Sequence, residues 1–217
     1  MHLQKGTVTV LHYDIREFNE AAFDEHLKTL PANFIQEINR MRVFKDKLRN
    51  LIGKLLLRKA ISESGFTAEL LLTLERNKNE KPFIKDWMPF NISHSEDMVV
   101  LVYGGDSELG IDIEKLDGEI DTDSTTNFFS NQEQEVILKN PGKETLIDTW
   151  VRKEAVLKAI GIGIANEPQQ LDCSGDKVSY KQQHWHLKKL NIDSDYVCYL
   201  AGLNNNLELR VHQVPVL

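Results

Sequence analysis

Trp150-Val151-Arg152-Lys153-Glu154-Ala155-Val156-Leu157-Lys158-Ala159 reads as a helix whose core-facing side carries charge. At 100° per residue, Ile147, Trp150, Val151 and Leu157 gather on one side, with Glu154 and Lys158 among them, while Arg152 and Val156 face away. A carboxylate buried without a partner is costly, so a glutamate in this stripe calls for a cation, several hydrogen-bond donors or an opening onto a ligand. One reading is an i,i+4 Glu154–Lys158 pair, worth roughly a few tenths of a kcal/mol; the other is a functional site. The choice rests on the remainder of the chain.

A length of 217 residues is enough for one large domain or two small ones with a real core. No apolar run approaches the ~20 residues of a membrane span and no signal-peptide pattern opens the chain, so the expected protein is cytoplasmic with no membrane partner. Cys173 and Cys198 lack CxxC spacing and read as two buried thiols rather than a disulfide framework or a zinc site. The net charge of −7 argues against nonspecific nucleic-acid binding. It averages two opposed segments: Arg40 to Lys59 is net +7, and Asp106 to Asp123 is net −7. A basic face suits an anionic partner and an acidic one a divalent metal, although either run alone also suits plain solvated surface.

In order along the chain, residues 7–15 alternate as an opening strand in which His12 is a strand side chain. From about Phe34 to Ser62 the pattern is helical, with Phe44, Leu48, Leu51, Ile52, Leu55 and Leu56 as an apolar stripe, most basic residues outside it, and Gly65 as the stop. Leu70 to Leu74 reads as a strand entering the polar turn Arg76 to Pro82, whose proline holds Lys81 extended. Asn91-Ile92-Ser93-His94-Ser95 concentrates hydrogen-bonding groups at the start of a sheet, and Met98 to Tyr103 has the length of a buried strand. His94 alone reads as either a satisfied structural histidine or a ligand contact.

In Gly110-Ile111-Asp112-Ile113-Glu114, strand alternation projects Asp112 and Glu114 from one face, about 7 Å apart. Two such carboxylates repel unless a cation lies between them, and one or two carboxylates completed by substrate phosphates and water are what Mg²⁺ prefers. With Glu154 they make a three-carboxylate site. Ser130 and Glu133 form a capping box opening a short helix. The opening helix then runs from about Glu144 to Ile160 and stops at Gly161-Ile162-Gly163, and the remainder reads as antiparallel strands. A long helix followed by short strands thus occurs on each side of Gly104-Gly105-Asp106. The expected fold class is α/β, more narrowly α+β: two similar halves, residues 1–105 and 106–217, each an antiparallel-rich sheet packed with a long helix, joined without a linker into one body.

Taken together, Gly53 and Arg58, Arg76 with Lys81-Pro82, Asn91-Ile92-Ser93-His94, Gly110-Ile111-Asp112-Ile113-Glu114, Phe128-Phe129-Ser130 and Trp150-x-x-Lys153-Glu154-x-x-x-Lys158-Ala159 resemble the 4′-phosphopantetheinyl transferases. The likeness is to the longer single-chain type. It implies transfer of the phosphopantetheine arm of coenzyme A to a serine of an apo acyl or peptidyl carrier protein, leaving adenosine 3′,5′-bisphosphate. It also implies two α/β halves with the coenzyme in the cleft between them, complete in a monomer. By position, Asp112, Glu114 and Glu154 would hold Mg²⁺ (or Mn²⁺) on the pyrophosphate, Glu154 would be the candidate base, and Lys158 would contact the phosphate under attack. Asn91, Ser93, His94 and Lys81 would hold the 3′-phosphate and adjoining groups, with Arg76 and Lys45 as further anion contacts.

Positioning and charge neutralisation are what a phosphoryl-type displacement asks of a protein, and the residues read singly agree with that chemistry. A noncatalytic carrier-protein or nucleotide-binding module on the same fold is the competing reading. Another phosphotransferase class lacks its signature here, for the chain has neither a Gly-rich phosphate loop nor a Walker-type Gly-Lys-Ser/Thr.

Overall fold

Strand β1 (Thr7–Asp14) sends Val8 and Val10 to one side and Leu11 and Tyr13 to the other, and both sides are buried. Such a strand must lie between two apolar layers. The structure, a computed structural model, describes residues 6–118, 128–162 and 168–215. Glu119, Asp121 and Asp123 of the acidic segment and Gly163 of the helix stop lie outside the described residues.

After β1 come α1 (Phe23–Lys28), α2 (Ala32–Arg40) and the long α3 (Phe44–Glu63). A hairpin follows, β2 (Leu74–Arg76) with β3 (Pro82–Ile84), and then β4 (Phe90–Ser95) and β5 (Met98–Gly104). The second part begins with β6 (Leu109–Lys115), continues through α4 (Asn131–Lys139) and α5 (Lys143–Ile160), and closes with β7 (Lys177–Tyr180), β8 (Gln183–Leu190), β9 (Tyr196–Gly202) and β10 (Glu208–Gln213).

The first sheet has the order β10-β1-β5-β4 and the second β6-β9-β8-β7. In each, the strand before the long helix pairs with the last of the strands after it: β1 with β5, β6 with β9, both antiparallel. This repeated topology is the α+β class expected. α3 packs Leu51 and Leu55 against Leu11, Tyr13 and Leu101 on the outer face of the first sheet. α5 packs Val151 and Ala155 against Val197, Tyr199 and Ala201 on the second. The inner faces share one core, in which Val8, Val10, Val100 and Val102 meet Ile111, Ile113, Cys198 and Leu200. Removing these side chains from water contributes roughly 2 kcal/mol each, which holds the sheets as one body.

Several local expectations change. The helical run from Phe34 is broken: Met41 closes α2 in an extended conformation, and α3 starts afresh at Val43 without a side-chain cap. The stripe on α3 is displaced too, since Phe44 is exposed and Lys54 buried. Residues Ala68–Thr73 form a 3-10 turn, and the strand begins only at Leu74. Val156, expected to face away, is buried, because α5 is enclosed on nearly every side. β10 runs parallel to β1 rather than antiparallel, since the chain crosses back from the second sheet to the free edge of the first. The Ser130–Glu133 capping box forms as read. Gly65 at φ 85° and Gly161 at φ 74° end α3 and α5 in the left-handed conformation that a Cβ disfavours.

Candidate active site

The two sheets meet along a seam where β4 and β6 run side by side, linked by side chains of β4. Asn91 Oδ1 accepts from the Ile111 amide at 2.9 Å, Ser93 Oγ donates to Asp112 Oδ1 at 2.8 Å, and Ser95 Oγ donates to Glu114 Oε2 at 2.5 Å. Alternation on β4 explains this zip: residues 91, 93 and 95 share one side, opposite 111 to 114. The same alternation turns Ile92 and His94 toward α3.

α5 lies against β6 at Gly110, where an added Cβ would sit 2.1 Å from the Ala155 carbonyl oxygen and 2.3 Å from the Ala159 nitrogen. Only glycine lets the helix come so close, and the approach hangs Glu154 and Lys158 over Asp112. A groove of about 220 Å³ results, walled by Ile92, Ser93 and His94 on one side and by Trp150, Glu154 and Lys158 on the other, with Asp112 and Glu114 between. Trp150 is stacked on Phe128 at 4.3 Å between ring centres. A larger cleft of about 560 Å³ opens farther along the molecule by Lys81, Phe83, Trp87 and Glu108, and it lacks this concentration of acids.

Charge is tightly arranged in the small groove. Lys158 Nζ lies 2.5 Å from Asp112 Oδ1 and 2.9 Å from Ser93 Oγ. Burial works against the charge on Lys158, but Asp112, supported by Glu154 and Glu114, outweighs it and raises the ammonium above its ordinary value. Asp112 Oδ2 and Glu154 Oε1 are buried with no hydrogen-bond partner. Burial first, and repulsion by Asp112 and Glu114 next, push the Glu154 carboxyl up to about 7, against the pull of Lys158. Glu114 is raised by burial and by Asp112, with Ser95 opposing. His94 is exposed at the groove mouth, yet the atoms crowded around it, then the cations of Arg49 and Lys158, hold it below the usual imidazole value.

Among the described residues, no three His, Cys, Asp or Glu side chains gather tightly enough to form a ready metal cage. The donor set still fits a hard divalent cation. Two orphaned, buried carboxylate oxygens are the kind of acceptors Mg²⁺ takes, and it completes its shell with ligand oxygens and water.

Of the sequence-derived candidates, Ser93, His94, Asp112, Glu114, Glu154 and Lys158 converge on the groove, and Asn91 joins the seam beside it. Lys81 is engaged elsewhere: its ammonium binds the Ala159 carbonyl at 3.0 Å, the Leu109 carbonyl at 3.3 Å and Glu108. There it ties the β2–β3 hairpin to the end of α5. Lys45 is paired with Glu96 at 2.7 Å and Asp97 at 2.8 Å. Arg76 donates to the Glu80 carbonyl at 3.0 Å and lies 3.8 Å from Glu37.

Sequence reasoning missed Ser95 and the hub built on Lys153. The signal for Ser95 was its period-two spacing from Asn91 and Ser93. Lys153 is 0% exposed, 2.6 Å from Glu133, and donates to the carbonyls of Phe128, Pro168 and Leu171 at 2.9, 2.8 and 2.7 Å. Glu133 in turn accepts from the Ser130 and Cys173 amides. The hub pins α5, α4 and the flanking loops together one residue from Glu154, and nothing in a Lys-Glu dipeptide distinguishes a buried lysine from a solvated one.

Comparison with known proteins gives two family matches. Residues 18–104 match the family described as 4′-phosphopantetheinyl transferase, N-terminal, and residues 108–201 the 4′-phosphopantetheinyl transferase superfamily. The chain belongs to the 4′-phosphopantetheinyl transferase superfamily. Among its relatives, the 4′-phosphopantetheinyl transferase gsp of Aneurinibacillus migulanus is 32% identical over 134 residues, 60% of this chain and 54% of that protein. A phosphopantetheinyl transferase of Thraustochytrium is 31% identical over 66% of this chain and 58% of its own length. The 4′-phosphopantetheinyl transferase pptA of Paxillus involutus is 25% identical over 85% of this chain and 81% of its own. The chain thus spans little more than half the length of the first two. No helix among the described residues is long and apolar enough to cross a membrane.

Proposed function

We propose that this protein transfers the 4′-phosphopantetheine group of coenzyme A to a serine of an apo acyl or peptidyl carrier protein, releasing adenosine 3′,5′-bisphosphate. One observation carries the reading: Asp112, Glu114 and Glu154 share a groove with Lys158, and two of their carboxylate oxygens are buried without a partner. That is an unfinished electrostatic site, suited to a phosphate ester arriving with a cation. Asp112, Glu114 and Glu154 would hold Mg²⁺ (Mn²⁺ as a substitute), which when bound neutralises charge on the coenzyme pyrophosphate.

The chain's own side chains do the rest. Lys158, freed in part from Asp112, binds the phosphoryl oxygens under attack, and Ser93 and His94 orient the neighbouring phosphate from the other wall. The serine oxygen forms a bond to the phosphorus on the pantetheine side, and the bond from that phosphorus to the bridging oxygen breaks. The serine proton passes to Glu154, directly or through water. Lys45, Arg76 and Lys81 act as outer anion contacts once their present partners are exchanged. The reaction belongs in the cytoplasm, where coenzyme A meets apo carriers, and a monomer supplies both walls of the groove.

The test is a gain in carrier mass of one phosphopantetheine upon incubation with coenzyme A, Mg²⁺ and a panel of apo carriers. Absence of any gain across the panel would count against the reading. Glu154→Gln and Asp112→Asn should fold and lose turnover; full activity in both would refute the metal assignment.

A further inference from the structure

The basic segment Arg40–Lys59 is not uniformly available. Lys45 and Arg49 are spent on Glu96, Asp97 and Asp46, Lys59 pairs with Glu63, Lys54 is buried beside Glu37, and Arg58 binds the Thr29 hydroxyl. Among the described residues, Arg40 and Arg42, both exposed, and Lys47, partly so, form no ion pair. The free positive charge therefore concentrates where α2 ends and α3 begins. The same corner shows Val43 at 57% exposure and Phe44 at 42%, adjacent apolar side chains flanked along the chain by those cations.

This corner adjoins the groove. Arg49 donates to the Glu96 carbonyl at 2.6 Å, in the turn that follows His94 and Ser95, and its charge acts on His94 itself. Phe44 precedes Arg49 by five residues, about 7.5 Å along the helix. An ordinary protein interface covers about 800 Å² on each partner, so one docked domain spans the corner and the groove mouth together.

We infer that Arg40, Arg42, Val43, Phe44 and Lys47 form the docking surface for the carrier protein, which must then present an acidic side to the cations and an apolar side chain over Val43 and Phe44. The inference rests on the function proposed above. Charge complementarity selects this partner: in a chain of net charge −7, a locally unpaired positive corner around an apolar centre is suited to an acidic protein surface. None of the five residues touches the reacting groups.

The double variant Arg40→Glu/Arg42→Glu and the single variant Val43→Asp test this, with Lys177→Glu/Lys188→Glu as a control of equal charge change at exposed positions on the second sheet. Two quantities are read: calorimetric binding of a carrier whose acceptor serine is replaced by alanine, and steady-state transfer to the native carrier. The docking variants should weaken binding and raise the KM for carrier about tenfold, with kcat and the KM for coenzyme A within about twofold of wild type. The control should change neither. Equal binding by all variants would overturn the inference, as would an effect of the same size in the control or failure of the wild type to bind any carrier. Binding that depends on this corner without transfer would leave the docking surface standing and overturn the transferase reading instead.

Discussion

Lys158 Nζ lies 2.5 Å from Asp112 Oδ1, joining the helix of one wall of the groove to the strand at its floor. Asp112 is almost wholly buried, and its other oxygen has no partner. Replacing Lys158 by Met removes the nearest compensating charge. The variant should lose about 2 kcal/mol of stability in urea titration of the metal-free protein, and carrier modification should fall at least ~100-fold. Unchanged turnover would remove Lys158 from the chemistry.

Glu154 carries a pH signature. Its carboxyl is raised from the ordinary 4.5 to about 7 in the folded protein, chiefly by burial. The folded state therefore holds this proton more tightly than the unfolded chain. The contribution is fully present below about 4.5 and is lost as pH rises through about 7. The melting temperature of metal-free protein should show a declining component between these values that Glu154→Gln lacks. Parallel pH profiles for the two proteins would show that Glu154 is not the group responsible.

Gly110 tests the approach of α5. A methyl group there would collide with backbone, the Ala155 carbonyl and the Ala159 nitrogen, which cannot swing aside as a side chain can. Gly110→Ala should cost about 3 kcal/mol and displace Glu154 and Lys158 together, depressing transfer beyond what partial unfolding explains. A crystal structure of the variant with α5 unmoved would contradict this.

The Lys153–Glu133 pair is closed on every side. Lys153→Met leaves a buried carboxylate and should destabilise by about 3–5 kcal/mol. Adding Glu133→Gln should recover part of that loss, because the orphaned charge is gone and the amide oxygen can still accept from one of the two backbone amides, Ser130 or Cys173. Chemical denaturation of the two single variants and the double variant gives the coupling directly. Additive losses would mean that Lys153 and Glu133 do not act as a unit.

Much of the fold and part of the site were legible in residue order alone. Period-two spacing fixed the side on which Asp112 and Glu114 project, helical spacing put Glu154 and Lys158 together, and Ser130 with Glu133 announced a cap, because each is a local geometric consequence of one element. The break at Met41 and the late start of β2 escaped, since α2 and α3 both carry helical patterns and only their packing separates them. The burial of Lys153 and Lys54 was not legible, because burial is a property of what surrounds a residue.

The sequence by itself determined the elements, their repeated order and the charged types that face a common side. Only the tertiary structure decided which of those charges meet. Asp112, Ser93 and Lys158 come from two strands and a helix far apart in the chain, and their contact depends on the β4–β6 seam and on α5 resting against Gly110. Local patterns specify direction along an element. Distance between elements is set by packing, and at about 3 Å it is distance that makes a charge pair, an orphaned oxygen or a site.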